Sequence, residues 1–140
     1  MLLAAIALSA LIGLGWPSGW MPLIAAASFA LMLAGLALLV LGSVELGDAL
    51  TPFPRPRDGS TLSIGGVYAR ARHPIYGGVI LLAAGWSLIF ASIVGGVLTV
   101  LLVVVFDLKA RREEHWLAER YADYSDYRRR TRRKFIPWLL

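Results

Sequence analysis

The stretch MPLIAAASFALMLAGLALLVLGSVEL, Met21 to Leu46, is 26 residues long and carries a single charge, Glu45, next to its end. At 1.5 Å per residue, a helix over it exceeds the roughly 30 Å hydrocarbon core of a bilayer. It reads as a transmembrane helix, and that reading sets the class of everything around it.

Working outward, the chain of 140 residues is 58% hydrophobic, too apolar for a soluble domain of this size. No Asp, Glu, Lys or Arg occurs from Met1 to Val44 or from Ile75 to Phe106, so charge is confined to Glu45–His73 and Asp107–Lys134. Upstream, Met1 to Gly15 is a further apolar segment closed by WPSGW. There Trp16 and Trp20 suit a membrane interface, while Pro17 and Gly19 suit a turn. Met1 to Ala10 has no positive side chain, so this segment reads as a first span of the mature protein and not as a secretory signal. Downstream, TPFPRPRDGSTLS, Thr51 to Ser63, has closely spaced prolines and no helical period, and reads as an irregular linker.

The apolar block Ile75 to Phe106 splits at Ala91 and Ser92 into two helices of about 24 Å each. Either these form a shallow or tilted hairpin, or the second helix continues past Asp107. The good helix formers of Asp107 to Tyr121, with no Pro or Gly, favour continuation. The expected fold is an all-α integral membrane protein with about four transmembrane or membrane-embedded helices and a cytoplasmic C-terminal helical cap. It forms one domain: two spans in 1–47, a loop in 48–74, a helical hairpin in 75–107, and a helix with a basic tail in 108–140.

Four passes place both polar segments and both termini on one side. All 14 Lys and Arg lie between Arg55 and Lys134, in a chain of net charge +5, which marks that side as cytoplasmic. For the run RRRTRRK, Arg128 to Lys134, anionic lipid headgroups are a sufficient partner and nucleic acid is not needed. No strand-periodic segment or glycine-rich strand-to-helix turn is present, which excludes a soluble nucleotide-binding sheet domain. The absence of cysteine excludes disulfides and thiol catalysis.

Candidate chemistry begins at RARHPIYGG, Arg70 to Gly78. Pro74 pushes His73 toward extended backbone and suits the first position of a helix, so a helix starts at Pro74 or Ile75. Its free amides, beside Arg70, Arg72 and His73, attract a carboxylate or phosphate. Gly77 and Gly78 permit close approach by a ligand or by a neighbouring helix, and Gly85 favours helix packing. The plain alternative for His73 is a capping or interfacial histidine.

The second charged segment places Lys109, Glu113, Leu117 and Tyr121 on one helix face and Arg112, Trp116 and Arg120 on the adjacent stripe. Glu114 and Arg111 can point elsewhere, so surface ion pairs account for much of the charge, and the plain alternative for either glutamate is a solvated helix face. Glu113 and Glu114 stand within two turns of the apolar helix's end, where a carboxylate needs a partner. If this helix faces Arg70 to Tyr76, the site offers cations, a carboxylate and the rings of Tyr68, Tyr76 and Trp116. Such a set suits a zwitterionic ligand with a positive sulfur, and equally a phospholipid headgroup.

GVYARARHPIYGG, Gly66 to Gly78, followed by REEHWLAERYADYSDY and then IP, resembles the integral-membrane isoprenylcysteine carboxyl methyltransferase and phospholipid methyltransferase superfamily over Leu62 to Pro137. The resemblance implies S-adenosylmethionine-dependent methyl transfer, with S-adenosylhomocysteine as product and no metal. It implies that Arg72, His73, Pro74, Ile75 and Tyr76 line the cofactor site, with Leu62, Ser63 and Tyr68 beside them, and that Glu113 holds the cofactor's amino group. Lys109 stands where the carboxyl methyltransferases carry a substrate-binding arginine, and with Arg112 forms the expected catalytic pair. Ala122 replaces a glycine common among relatives, and the spacing of Tyr121, Tyr124 and Tyr127 is a residue short.

The implied acceptor is lipophilic and comes laterally from the bilayer: carboxyl O-methylation first, then a lipid amine or a thiol. The implied location is a membrane, the bacterial inner membrane for so minimal a core. The contrasting expectation is a non-catalytic helical membrane protein that binds anionic lipid or a partner protein.

Overall fold

A computed structural model describes residues 1–47 and 62–137. Most of the expected linker Thr51–Ser63 lies outside the described residues. Among the described residues the chain is all-helical, with no strand. The described residues form five α-helices: α1 (Leu2–Leu8), α2 (Met21–Leu46), α3 (Pro74–Ile89), α4 (Ile93–Arg120) and α5 (Tyr124–Arg130). Short 3-10 turns occupy Ser9–Ile12, Ser18–Trp20 and Gly66–Ala69.

Ser18–Leu46 and Ile93–Arg120 are long and apolar enough to cross a membrane, with 11% and 22% of their apolar windows buried. A soluble protein's core helix would be mostly buried, so these exposed apolar surfaces require a nonaqueous surrounding. Leu2–Ile12 and Pro74–Ile89 are apolar but shorter. Where the sequence pattern suggests four spans, the structure thus has two helices of crossing length and two shorter ones. The first segment is cut short because Gly13 takes extended backbone and Gly15 a left-handed one, ahead of Pro17.

The described chain divides into two compact units, and α2, α3 and α4 each contribute residues to both. The first comprises Met1–Ala37 and Gly78–Val105. Its α3–α4 turn falls at the expected Ala91 and Ser92, with Ala91 in the left-handed region (φ 48°). The Ser92 hydroxyl oxygen accepts from Gly95 N–H at 3.0 Å, as an N-cap does for α4, and donates to the Ser9 carbonyl at 3.0 Å. Trp16 Nε1 donates to the Leu88 carbonyl at 2.7 Å, satisfying an acceptor at the end of α3. Helices α2 and α3 meet through glycine: a β-carbon at Gly35 would lie 2.7 Å from the Gly78 carbonyl oxygen. A side chain there would force the two backbones apart.

The second unit comprises Leu38–Gly77 and Phe106–Leu140, of which 138–140 lie outside the described residues. At the end of α2, Glu45 accepts the Val67 N–H at 2.8 and 3.1 Å, fixing the Gly66–Ala69 turn. Tyr68 donates to the Gly42 carbonyl at 3.2 Å, and Tyr127 of α5 donates to the Tyr68 carbonyl at 2.7 Å. The buried rings of Tyr68, Tyr124 and Tyr127 supply much of this unit's apolar core.

Candidate active site

The candidate site is built within the second unit from the residues before α3 and from the charged half of α4. Pro74 is buried and opens α3, as expected of a proline in its first turn. This leaves His73 on the last nonhelical position and Tyr76 in the first turn, where the two rings stack at 5.5 Å with 3° between their planes. Tyr76 stacks in turn on Phe106 of α4 at 4.6 Å. Lys109, one turn along α4, holds its ammonium 5.2 Å from the centre of the Tyr76 ring.

Two adjacent carboxylates of α4 grip the histidine. Glu113 Oε2 lies 3.5 Å from His73 Nδ1, and Glu114 Oε1 lies 3.2 Å from His73 Nε2. Tyr76 donates its hydroxyl to Glu113 Oε1 at 2.5 Å, and Arg72 Nε donates to Glu114 Oε1 at 2.8 Å. Neighbouring helical residues point about 100° apart, so one carboxylate serves Tyr76 and the other Arg72, with His73 between them. Burial opposes a positive charge on the His73 ring, but the hydrogen bonds to Glu113 and Glu114 outweigh it and raise its pKa above the ordinary 6.5.

The C-terminal segment completes this arrangement through its backbone. Arg72 Nη1 donates to the carbonyls of Thr131 at 2.6 Å and Arg132 at 2.8 Å. The Arg72 and His73 amides donate to the carbonyls of Arg133 at 3.1 Å and Lys134 at 2.7 Å. The Phe135 carbonyl sits against Gly77 so closely that a β-carbon there would overlap it. Lys134 Nζ pairs with Asp107 at 2.6 Å.

The structure therefore brings together Arg72, His73, Tyr76 and Glu113, with Lys109 beside them. Ile75 packs instead against Gly42, and Tyr68 is tied to the Gly42 carbonyl. Leu62 and Ser63 are half-buried ahead of the Gly66–Ala69 turn. Arg112 is exposed and lies over Trp116 of its own helix, 5.2 Å from the ring centre, and so does not join the cluster.

Glu114, for which the helix spacing allows a solvated face, is instead 5% exposed and holds both Arg72 and His73. Ala110, one turn earlier on the same face, is fully buried beside it, whereas Ala118, one turn later, is exposed. Arg111, paired with Asp107 on an exposed face, is the surface ion pair that was expected.

The cluster can hold a ligand ammonium at Glu113, an anionic group near Lys109, and a flat or cationic group against the aromatic stack. Residues 23–124 match the family model described as phospholipid methyltransferase. The curated proteins contain no match to the chain.

Proposed function

Because the chain belongs to the phospholipid methyltransferase family, part of the integral-membrane methyltransferase superfamily, we propose that it methylates a lipophilic acceptor with S-adenosylmethionine. The observation that carries this reading is Glu113, a half-buried carboxylate aimed by the Tyr76 hydroxyl at 2.5 Å and flanked by His73. The donor set fits the cofactor: Glu113 suits its ammonium, and the rings of Tyr76, His73 and Phe106 suit its purine and sulfonium. When bound, S-adenosylmethionine supplies an electrophilic methyl carbon on a positive sulfur. The protein's task is to align the acceptor atom with that carbon and keep water away, since alignment is worth on the order of 7–11 kcal/mol.

Lys109 favours a carboxylate acceptor. Its ammonium lies over Tyr76, where it attracts an anionic oxygen and repels the ammonium of a lipid amine. A carboxylate also has no proton to lose before it attacks, whereas a lipid amine held as its ammonium must first shed one. In this reading the acceptor arrives laterally from the bilayer, and the charged half of α4 lies at the cytoplasmic interface, in keeping with the one-sided distribution of Lys and Arg.

The deciding test is calorimetric binding of S-adenosylmethionine to the wild type and to His73→Ala and Glu113→Ala. Affinity is expected to fall in both folded variants, and unchanged affinity would overturn the assignment. Transfer of a labelled methyl group to a panel of hydrophobic acids, lipid amines and prenylated thiols then identifies the acceptor, with the acids expected to lead.

A further inference from the structure

We propose that Thr131–Phe135 is a strap held closed over the His73 motif by anionic lipid headgroups, which bind the side chains of Arg132 and Arg133. The strap meets this motif chiefly through its backbone: four successive carbonyls, Thr131 to Lys134, accept from Arg72 and His73, and the Thr131 hydroxyl adds a bond to the Ala69 carbonyl at 3.3 Å. The next carbonyl, Phe135, sits on Gly77, and the Phe135 ring is buried, 6.4 Å from the His73 ring. With the backbone so used, the Arg132 and Arg133 side chains are exposed, and among the described residues neither meets a carboxylate.

The position of the strap identifies the partner. Lys134 ties it to Asp107, the first charged residue after the apolar run of α4. That is the level at which headgroups lie when α4 crosses a bilayer. Two guanidinium groups without a carboxylate partner among the described residues match a surface of phosphate esters. Each basic residue near such a surface strengthens attachment on the order of fivefold, and the effect is screened by salt. Lipid attachment would favour the closed strap and keep the Arg72 and His73 backbone amides bonded. The inference adds a regulatory element to the proposed methyltransferase site, but the closure itself does not depend on that reading.

Amide hydrogen exchange tests it on the full chain in nanodiscs of phosphatidylcholine alone and in discs with roughly one-third phosphatidylglycerol. Exchange in peptides covering 70–77 and 131–137 is expected to slow on the order of tenfold with the anionic lipid, and high salt is expected to abolish the difference. Arg132→Gln/Arg133→Gln is expected to lose the lipid response. Arg129→Gln, which removes an arginine already paired with Asp126, is expected to keep it. Equal exchange in the two lipids for the wild type, or a full response in the double variant, would overturn the proposal. S-adenosylmethionine binding is measured on the same discs. A lipid-responsive strap without cofactor binding refutes the methyltransferase reading alone, and cofactor binding with a lipid-indifferent strap refutes the strap alone.

Discussion

The two units solve the same problem, a polar group away from water, in opposite ways. In Met1–Ala37 with Gly78–Val105 the buried polar side chains among the described residues are hydroxyls, and apart from Ser28, which has no hydrogen-bond partner, they bond to backbone carbonyls. Ser9 donates to Ile6 at 2.6 Å, Ser87 to Ala83 at 2.7 Å and Thr99 to Gly95 at 2.8 Å. Each of these three is neutral and has a partner within its own turn, although Ser87 and Thr99 also meet each other at 3.3 Å. In Leu38–Gly77 with Phe106–Leu140 the buried polar groups include Arg72, His73 and Glu114, which satisfy one another. Removing one ion strands the others. Buried ions of this kind are costly in a membrane protein and concentrate where function is.

The sharpest break of that contrast is Glu114→Gln, which leaves Arg72 buried without its counter-charge. It is expected to cost about 3–5 kcal/mol in reversible unfolding in detergent. A loss as small as that of a surface substitution would put Glu114 back among ordinary polar residues. Next comes Glu113→Gln, which spares the fold but removes the charge offered to a ligand ammonium. The expected loss is on the order of 10- to 100-fold in S-adenosylmethionine affinity by calorimetry.

Gly77→Ala tests the C-terminal segment, because the new β-carbon would overlap the Phe135 carbonyl. Overpacking of this kind costs about 1–3 kcal/mol, and faster proteolysis within 131–137 would report where the strain is released.

The pH dependence of stability follows from His73. Its pKa is raised in the folded protein, so its contribution is fully present below the ordinary 6.5 and is lost as pH rises through the higher folded value. Thermal melts should therefore show the wild type losing stability on the alkaline side of 6.5 by more than His73→Gln does. Smallest of all is Ser87→Ala in the first unit, about 0.5–1.5 kcal/mol with no change in cofactor affinity. A larger loss there would show that the hydroxyls act together, as the ions do.

Much of the fold was legible because composition alone decides it. Met21–Leu46 forms one helix over the expected residues, Pro74 opens α3, the turn falls at Ala91 and Ser92, and α4 runs past Asp107 to Arg120. Met1–Gly15 was less legible: hydropathy cannot see that backbone conformations at Gly13 and Gly15 stop the helix at Ile12. At the site, the structure sets Arg70–Tyr76 against α4, with His73 and Tyr76 beside Glu113, which the sequence offers only as a condition. Helical periodicity could not tell which of two adjacent glutamates faces inward, since Arg72, the partner that decides it, lies 42 residues away. The tail was read through its arginine side chains, whereas it braces the site through carbonyl groups that every residue has and that leave no mark on a sequence.

The clasp between Glu45 and Val67 also decides where the approach to His73 begins. Because those two points are fastened to each other directly, the Gly66–Ala69 turn is seated on the end of α2 by a side chain. The short run from Val67 to His73 is thus anchored at both ends, by Glu45 at its start and by the paired carboxylates at its finish.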